Sequence, residues 1–394
     1  MGEWRELTLG ELVHSGFLEL GDGYRTKRAE HGIPGIPILR VAEVLDGTIV
    51  PTFENHVSNA FRPAMGDKVS RPGDVVLTTK GTVGRVAIIP DDAPEFVYSP
   101  QLCYFRVKPD GPLSARHLYY WFKSDSFWSQ ARQLKSQTDM ADYINLADIR
   151  SLVVQVPPSD TQAAMGAVLR ALDDKIAVNE RIVSACHELA QAHTLAALAD
   201  GPTVPLGEIA AITMGSSPPG DTYNEDGVGL PFYQGTRDFG TRFPTRRVWC
   251  SQPVRVAARG ATLVSVRAPV GRLNIATEEC CIGRGLASLV TRTRTPSVLF
   301  HSLAARSEIW QPYESEGTVF GAINRKQLDS TQVLSTREEP ARNLETVLEP
   351  LDGRVWSATM ESAALADLRD TLLPKLMSGE LRVREAEGIV GGAL

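Results

Sequence analysis

Residues 72–89 read PGDVVLTTKGTVGRVAII, and residues 259–276 read RGATLVSVRAPVGRLNIA, which is a second copy displaced by 187 positions. Both copies have the pattern of a strand, a turn that contains glycine, and a second strand. The residues of the first copy that recur unchanged are Gly73, Val83, Gly84, Arg85 and Ile88, which return as Gly260, Val270, Gly271, Arg272 and Ile275. Lys80 faces Arg267, so each copy also has a basic residue before the turn. The match predicts the same hairpin twice in one chain.

Further matches extend this duplication to most of the sequence. LGEL at 9–12 resembles LGEI at 206–209, near the start of each half. After the hairpin the displacement becomes 179, so that Ile-Asn at 144–145 faces Ile-Asn at 323–324 and Leu-Asp at 172–173 faces Leu-Asp at 351–352. Because the period is roughly 180 residues, the pattern is typical of a duplicated domain and not of a short solenoid repeat.

Each half has the same internal order. A mixed region rich in glycine, proline and β-branched residues comes first, at 1–157 and again at 203–335. A long helical pattern follows, at 158–200 in the first half, and at 337–385 together with a C-terminal tail in the second. We expect residues 387–394 to be frayed, since chain ends rarely have enough contacts to order them.

Apolar residues in both helical segments recur at alternating steps of three and four, which is typical of helices that pack on helices. About 40 residues make a helix on the order of 60 Å long, more than one small domain can cover. We therefore predict that the two helices pair as a spacer; the alternative is that each packs only on its own domain. Asn179 interrupts the first stripe, where it either fixes the register or lies at a wet edge. The stripe residues assigned to partner binding are Leu169, Ile176, Val183, Leu348, Val355 and Leu365.

Charge is divided unevenly along the chain. The net charge is −6, yet residues 237–294 hold eleven arginines, no lysine and three acids. Affinity for polyanions follows the local field more than the total charge. This stretch therefore favours a surface that faces a polyanion over an ordinary solvated surface. The first half is less basic, with seven bases and five acids in residues 61–108.

The basic residues around the repeated turns are the first candidates for contact with a polyanion such as DNA. They are Lys80, Arg85, Arg267 and Arg272. The alternative is that the two turn arginines only brace their own hairpins through carbonyl groups. A second candidate cluster consists of Arg237, Arg242, Arg246 and Arg247, and its counterpart in the first half consists of Tyr24, Arg25, Lys27 and Arg28. A flexible basic loop is the competing interpretation of those two clusters.

The sequence has no recognisable catalytic motif. The phosphate-binding G-x-x-x-x-G-K-[ST] and the dinucleotide G-x-G-x-x-G patterns are missing. Ser-Pro-Pro-Gly at 217–220 lacks the aromatic residue with which amino-methyltransferases stack a flipped base. Five cysteines without C-x-x-C spacing and seven scattered histidines do not form a zinc ligand set. We expect no catalytic residue, metal or cofactor in this chain, and a reducing cytoplasm as its location. No apolar run approaches the roughly 20 residues that a membrane span needs.

Three stretches resemble the specificity subunits of type I restriction–modification systems. LRDTLLPKLMSGELRV at 368–383 resembles their closing signature, and Pro157-Pro158 with Gln162 resembles the start of their first long helix. Gly-Asp followed by Gly-x-x-Gly-Arg, at 73–85, is similar to their target-recognition domains. The resemblance covers essentially the whole chain. The second half departs from it where Ala261 replaces Asp74 and Thr336 replaces Pro157.

The resemblance implies an α+β fold: two similar α/β target-recognition domains, related by pseudo-two-fold duplication, and two long antiparallel helices packed as a coiled-coil spacer. It implies that each domain reads one half-site of a bipartite double-stranded DNA target. It implies two modification subunits, which bind S-adenosylmethionine and methylate adenine, and leaves open whether a restriction subunit that uses ATP and Mg joins them. The alternatives are a protein–protein adaptor without DNA preference and an enzyme with an unrecognised site.

Overall fold

A computed structural model describes residues 3–134, 136–138, 141–314 and 321–394. The chain forms two compact units: unit 1 comprises Met1–Ala177 and Ser362–Leu394, and unit 2 comprises Val178–Glu361. Unit 1 therefore contains both ends of the chain. No helix in the described ranges is both long enough and apolar enough to cross a bilayer.

The first half of the chain supplies the strands and short helices of unit 1. Its described strands are β1 (Arg5–Thr8), β2 (Leu18–Asp22), β3 (Gly35–Leu39), β4 (His56–Ser58), β5 (Val75–Thr78), β6 (Val86–Ile88), β7 (Val97–Tyr98), β8 (Leu102–Val107), β9 (Ser136–Thr138), β10 (Ala141–Tyr143) and β11 (Val153–Val156). Its described α-helices are α1 (Leu9–His14), α2 (Arg62–Met65), α3 (Ala115–Lys123), α4 (Asp125–Leu134), α5 (Leu146–Ser151) and the long α6 (Ser159–Leu198).

The second half supplies the strands and short helices of unit 2. Its described strands are β12 (Thr203–Pro205), β13 (Ala210–Met214), β14 (Tyr223–Asn224), β15 (Leu230–Tyr233), β16 (Trp249–Cys250), β17 (Val256–Ala257), β18 (Thr262–Ser265), β19 (Leu273–Ile275), β20 (Cys280–Ile282), β21 (Leu286–Thr291) and β22 (Gln332–Leu334). Its described α-helices are α7 (Leu206–Ile209), α8 (Pro296–Ala304), α9 (Arg325–Ser330), the long α10 (Glu338–Met377), and α11 (Val383–Gly391), which belongs to unit 1.

The sheets of the two units follow one plan. Unit 1 has a four-stranded antiparallel sheet in the order β2-β8-β5-β6, and unit 2 has the matching order β13-β21-β18-β19. A second sheet in each unit contains a parallel pair, β3 with β7 and β15 with β20. An antiparallel pair joins the first strand of each half to its last, β1 with β11 and β12 with β22. The predicted duplication and α+β fold are confirmed.

The displacements found in the sequence recur in the elements. The hairpin strands β18 and β19 lie 187 positions after β5 and β6, at both ends of each strand. The long helix α10 begins and ends 179 positions after α6, and each has 40 residues. The second half of the chain therefore repeats the hairpin and the long helix of the first half without any change in their length.

The two long helices pair within each unit. In unit 1 an ion pair joins Asp173 of α6 to Arg369 of α10, with 2.9 Å between carboxylate and guanidinium. In unit 2 Asn179 donates to Glu361 over 2.8 Å, and Ala190 shares a buried cluster with Leu348. Later positions of α6 thus meet earlier positions of α10, and the segments are antiparallel, as expected.

Asn179 is buried with 0% of its surface exposed. Its amide donates to the Glu361 carboxylate, so it lies inside the helix pair and not at a wet edge. A buried polar group is costly unless it finds its partner, and only one alignment of the two helices supplies that partner. Of the two interpretations of Asn179, the structure supports a residue that fixes the register.

The C-terminal tail is ordered further than we expected. Helix α11 continues to Gly391, and its Ala386 and Val390 are buried in the core of unit 1. The prediction of a frayed end from residue 387 is therefore wrong for most of that segment. Two apolar side chains one turn apart anchor the helix, which the sequence pattern alone did not reveal.

His117 of α3 makes the stability of unit 1 depend on pH. The ring is buried, and its Nε2–H donates to the Gln155 carbonyl over 2.8 Å. Burial lowers the pKa of His117 from 6.5 to about 4, and the hydrogen bond opposes this only in part. The unfolded chain therefore binds a proton more readily than the folded protein does. The stability of the folded state falls as pH drops through the window between those two pKa values. We expect a loss of about 2–3 kcal/mol at pH 4.5 relative to pH 7 from this residue.

Urea unfolding at both pH values, for wild type and His117→Gln, measures this effect. The variant should lose that part of the pH dependence, while the carboxylates contribute equally to both proteins. His193→Gln, which alters an exposed histidine of α6, is the control. An identical pH dependence in wild type and His117→Gln would contradict the assignment.

Candidate nucleic-acid interface

The two repeated hairpins are fixed by equivalent hydrogen bonds. In the first, the Thr78 hydroxyl accepts from the backbone N–H of Arg85 over 2.9 Å. In the second, the Ser265 hydroxyl accepts from the backbone N–H of Arg272 over 2.8 Å. A hydroxyl at the end of the first strand thus holds the backbone of the turn arginine in each unit.

Each turn also packs against a tryptophan, which explains the glycine of the motif. Gly84 and Gly271 have φ of +97° and +81°, where a side chain is strained. A Cβ at Gly84 would lie 2.1 Å from the Trp128 ring, and one at Gly271 would lie 2.1 Å from the Trp310 ring. The glycines therefore permit both the backbone conformation and the close approach of the indole.

The structure leaves most of the turn cations open to a ligand. Lys80, Arg267 and Arg272 are exposed, whereas Arg85 is half-buried. The Arg85 guanidinium lies 3.5 Å from the carbonyl of Val44, which is outside its own hairpin. The bracing of each hairpin by its own arginine is therefore not seen for Arg85. The contact of these four residues with DNA stays a prediction.

The second candidate cluster is only partly available. Arg237 is exposed, while Arg246 pairs with Glu278 at 2.5 Å and Arg247 pairs with Asp238 at 2.8 Å. The Arg246 pair lies at the surface, where such pairs are weak, so a phosphate can compete for this arginine. Arg247 is itself exposed, but its partner Asp238 is buried, so a phosphate competes less easily for that pair.

The assignment of Arg242 to DNA contact is wrong. Arg242 is only 3% exposed, and its Nη2 lies 2.8 Å from the carboxylate of Asp352 on α10. Its guanidinium covers the Phe300 ring at 4.6 Å, and Nε2 of His301 also contacts Asp352. Burial lowers the pKa of Arg242, and the attraction of Asp352 counteracts this. The side chain anchors a loop to the long helix and is not accessible to DNA.

Unit 1 has a counterpart of this anchor. Asp173, the residue of α6 equivalent to Asp352, accepts from the Tyr120 hydroxyl over 2.8 Å and from Arg369 over 2.9 Å. In both units a carboxylate of a long helix therefore binds a side chain from the neighbouring short helix and an arginine. The arginine comes from the loop before β16 in unit 2 and from α10 in unit 1.

The first-half cluster lies on an exposed segment that is hydrogen-bonded at both ends. Arg25, Lys27 and Arg28 are exposed, and Tyr24 is half-buried. The N–H of Tyr24 donates to the Tyr98 carbonyl over 2.7 Å, and the N–H of Lys27 donates to the Glu30 carboxylate over 3.0 Å. These bonds argue against a wholly free loop and leave its three cations facing solvent.

The stripe residues assigned to partner binding lie mostly inside this chain. Leu169, Leu348, Val355 and Leu365 are buried, so their assignment to a surface that binds another subunit is wrong. They form the seam between α6 and α10 that the spacing predicted. Ile176 and Val183 are half-buried, and their contact with a partner stays a prediction.

A recess of about 400 Å³ in unit 2 was not foreseen. Its described lining consists of Met214, Gly215, Val266, Arg267, Arg284, Ala322, Ile323, Asn324 and Gln327. The sequence did not single out Arg284 as a candidate site residue. The feature that could have indicated it is its position in the arginine-rich stretch 237–294. In the described ranges no group of three or more His, Cys, Asp or Glu side chains is placed to hold a metal ion.

Comparison with known proteins agrees with this architecture. Residues 1–185 match the family model described as the type I restriction modification DNA specificity domain. The first half of the chain thus matches that DNA specificity domain. The chain is 25% identical over 381 residues to a protein named as the type I restriction enzyme MjaX specificity subunit of Methanocaldococcus jannaschii. The match covers 89% of this chain and 88% of that protein.

A crystal structure of the type I restriction–modification S subunit from M. genitalium has the same fold. Its TM-score is 0.64 at 16% identity, and the match covers 95% of this chain and 96% of that one. The duplicated sheets and the long helices described above are thus features of a fold that this chain shares with that S subunit. Of the exposed turn cations, Lys80 lies within residues 1–185, which match the DNA specificity domain.

Proposed function

We propose that this specificity subunit reads a bipartite double-stranded DNA target, one half-site with each α/β domain, for a type I restriction–modification complex. The observation that carries the proposal is the duplication: two domains of one topology each present an exposed basic hairpin. A chain with two equivalent readers is suited to a target with two separate parts.

The chemistry of the hairpins supports DNA as the ligand. Base edges in the major groove are read by donors and acceptors on a rigid support, while phosphate contacts set the register. The turns are rigid because a hydroxyl and a tryptophan hold each of them. Lys80, Arg267 and Arg272 therefore project from positioned backbone.

Other chains carry the chemistry in this proposal. Two modification subunits bind S-adenosylmethionine and methylate adenine, and a restriction or translocase subunit that uses ATP and Mg is a further partner. This chain contributes recognition and no catalytic residue, and it works in the cytoplasm. An adaptor without DNA preference is not favoured, because the family is defined by DNA specificity.

Adenine methylation mapped across the genome tests this function. Cells with the chain should show a motif of two short half-sites separated by unread base pairs, and deletion of its gene should remove that motif. Exchange of residues 1–157 for the corresponding domain of another family member should change one half-site, and exchange of residues 203–335 the other. A methylome unchanged by deletion, or methyltransferase activity in the purified chain alone, would refute the proposal.

A further inference from the structure

The recess of unit 2 is lined by groups that donate hydrogen bonds. Arg267 and Arg284 are both exposed, and the Nε of Arg284 is 3.3 Å from the Ser217 hydroxyl. The side-chain oxygens of Asn324 and Gln327 accept from each other's backbone N–H groups, over 3.0 and 2.9 Å. Their amide nitrogens are left as the donating ends. Among the described residues that line the recess there is no aspartate or glutamate.

The remaining lining residues are apolar, and two of them, Val266 and Ile323, are buried. The apolar residues are Met214, Gly215, Val266, Ala322 and Ile323. A group that fits this recess has acceptor oxygens with negative charge at one side and a compact apolar part at the other. The phosphodiester of a DNA strand, with its deoxyribose, has that composition, and a protruding backbone suits a concave site better than a recessed base edge does.

The equivalent place in unit 1 has different chemistry. Lys80 has the position equivalent to Arg267. Pro100 lies two residues before β8, which is the position that Arg284 has before β21. Asp148, the third residue of α5, stands where Gln327 is the third residue of α9. The described lining of the unit 2 recess thus has two cations and no acid, whereas the same positions of unit 1 have one cation and one acid.

We propose that the recess around Arg267 and Arg284 seats one phosphate of the DNA backbone, and that unit 2 grips the backbone here more strongly than unit 1 does. The inference rests on the proposed DNA-reading function and specifies a contact within it. Two arginines on different parts of the sheet converge on one anion, so both are needed for full affinity. The contact fixes the register of the domain and reads no base.

Binding of a target duplex across a salt series tests the contact, with the full chain assembled with its modification subunits. Arg267→Ala/Arg284→Ala should weaken binding roughly 10- to 100-fold at low salt. The slope of log affinity against log salt should become shallower by about 0.9, the value for one phosphate, and each single variant should show nearly the same change. Gln327→Asp, which introduces the acid of unit 1, should weaken binding in the same way.

A scan of neutral methylphosphonate linkages locates the phosphate. One linkage should weaken binding by wild type and have no effect on the double variant. Arg306→Ala/Arg342→Ala removes one half-buried and one exposed arginine of the same unit, each paired with a glutamate, and should retain the wild-type response at that linkage. Melting temperatures of all variants check that they are folded.

Two results would overturn the inference while leaving the proposed function intact. One is a double variant that responds to every methylphosphonate as wild type does. The other is an altered methylation motif with an unchanged salt slope, since that would mean the arginines read a base. If the wild-type complex shows no preference for its target duplex, the proposed function itself fails, and that result is seen before any variant is compared.

Discussion

Asp74→Ala should lower the free energy of unfolding of unit 1 by about 3–5 kcal/mol. The Asp74 carboxylate is 1% exposed and accepts from Nε and Nη2 of Arg106, over 2.8 and 2.7 Å, and from the Tyr98 hydroxyl over 2.8 Å. The Arg106 side chain is itself 7% exposed. Removal of the carboxylate therefore leaves a buried cation without its main partner. The free-energy cost of that unpaired charge is larger than the net stabilisation that the intact pair provides.

The equivalent positions of unit 2 carry no charge. Ala261 has the position of Asp74 and is buried, and Val290 of β21 has the register position of Arg106 in β8 but is 45% exposed. Asp74→Ala/Arg106→Val should therefore recover most of the stability that Asp74→Ala loses, to within about 1–2 kcal/mol of wild type.

Urea unfolding followed by circular dichroism measures both variants. Asp67→Ala is the control, because that carboxylate is 70% exposed, pairs with Arg71 at the surface and lies 3.9 Å from Arg106, so that a change of at most about 1 kcal/mol is expected. The account fails if Asp74→Ala is as stable as wild type, or if the double variant is no more stable than the single one.

Gly271→Ala should destabilise unit 2 by about 2–5 kcal/mol. A side chain at a φ of +81° costs about 1–2 kcal/mol, and the new methyl would lie 2.1 Å from the Trp310 ring, which adds about 1–3 kcal/mol of overpacking. Loss of the turn geometry should also displace Arg267 and Arg272, so DNA affinity should fall together with stability.

Gly260→Ala separates the two contributions. Gly260 has a φ of +80°, but nothing lies within 4 Å of its Cβ position. Its replacement should cost only the backbone part, about 1–2 kcal/mol. Equal losses in the two variants, measured by thermal unfolding, would mean that the tryptophan contact is not what requires glycine at 271.

The parts of the fold that the sequence predicted are those fixed by local pattern. The hairpins and the long helices follow from the spacing of apolar residues and from the turn residues. Because the chain is duplicated, each pattern occurs twice and supports the same prediction. The spacing of Leu169 and Leu348 indicated a helix seam, and both are buried. Sequence alone did not show which apolar face was left for another protein, because the seam and a docking surface have the same composition.

The candidate site was less predictable because exposure depends on distant partners. A count of arginines treats Arg242 and Arg237 alike, yet the first is buried against Asp352 of a long helix and the second is exposed. Arg284 shows the converse, since it joins Arg267 at one recess only through the pairing of β18 with β21. Charge density located the basic unit, and tertiary structure decided which cations remain available.

The discontinuity of unit 1 determines how the protein can be made. Its core contains Leu169 and Leu172 near the middle of the chain, but also Leu365 and Leu372 from α10 and Ala386 from α11. At roughly 5–20 residues per second, a ribosome needs about 10–40 s to pass from Ala177 to Ser362. Throughout that interval α6 packs on the first half of the chain but lacks the apolar side chains that α10 and α11 supply. The first domain to leave the ribosome is thus the last to be completed, and a nascent chain stalled in the second half would leave that part of the core open to chaperones.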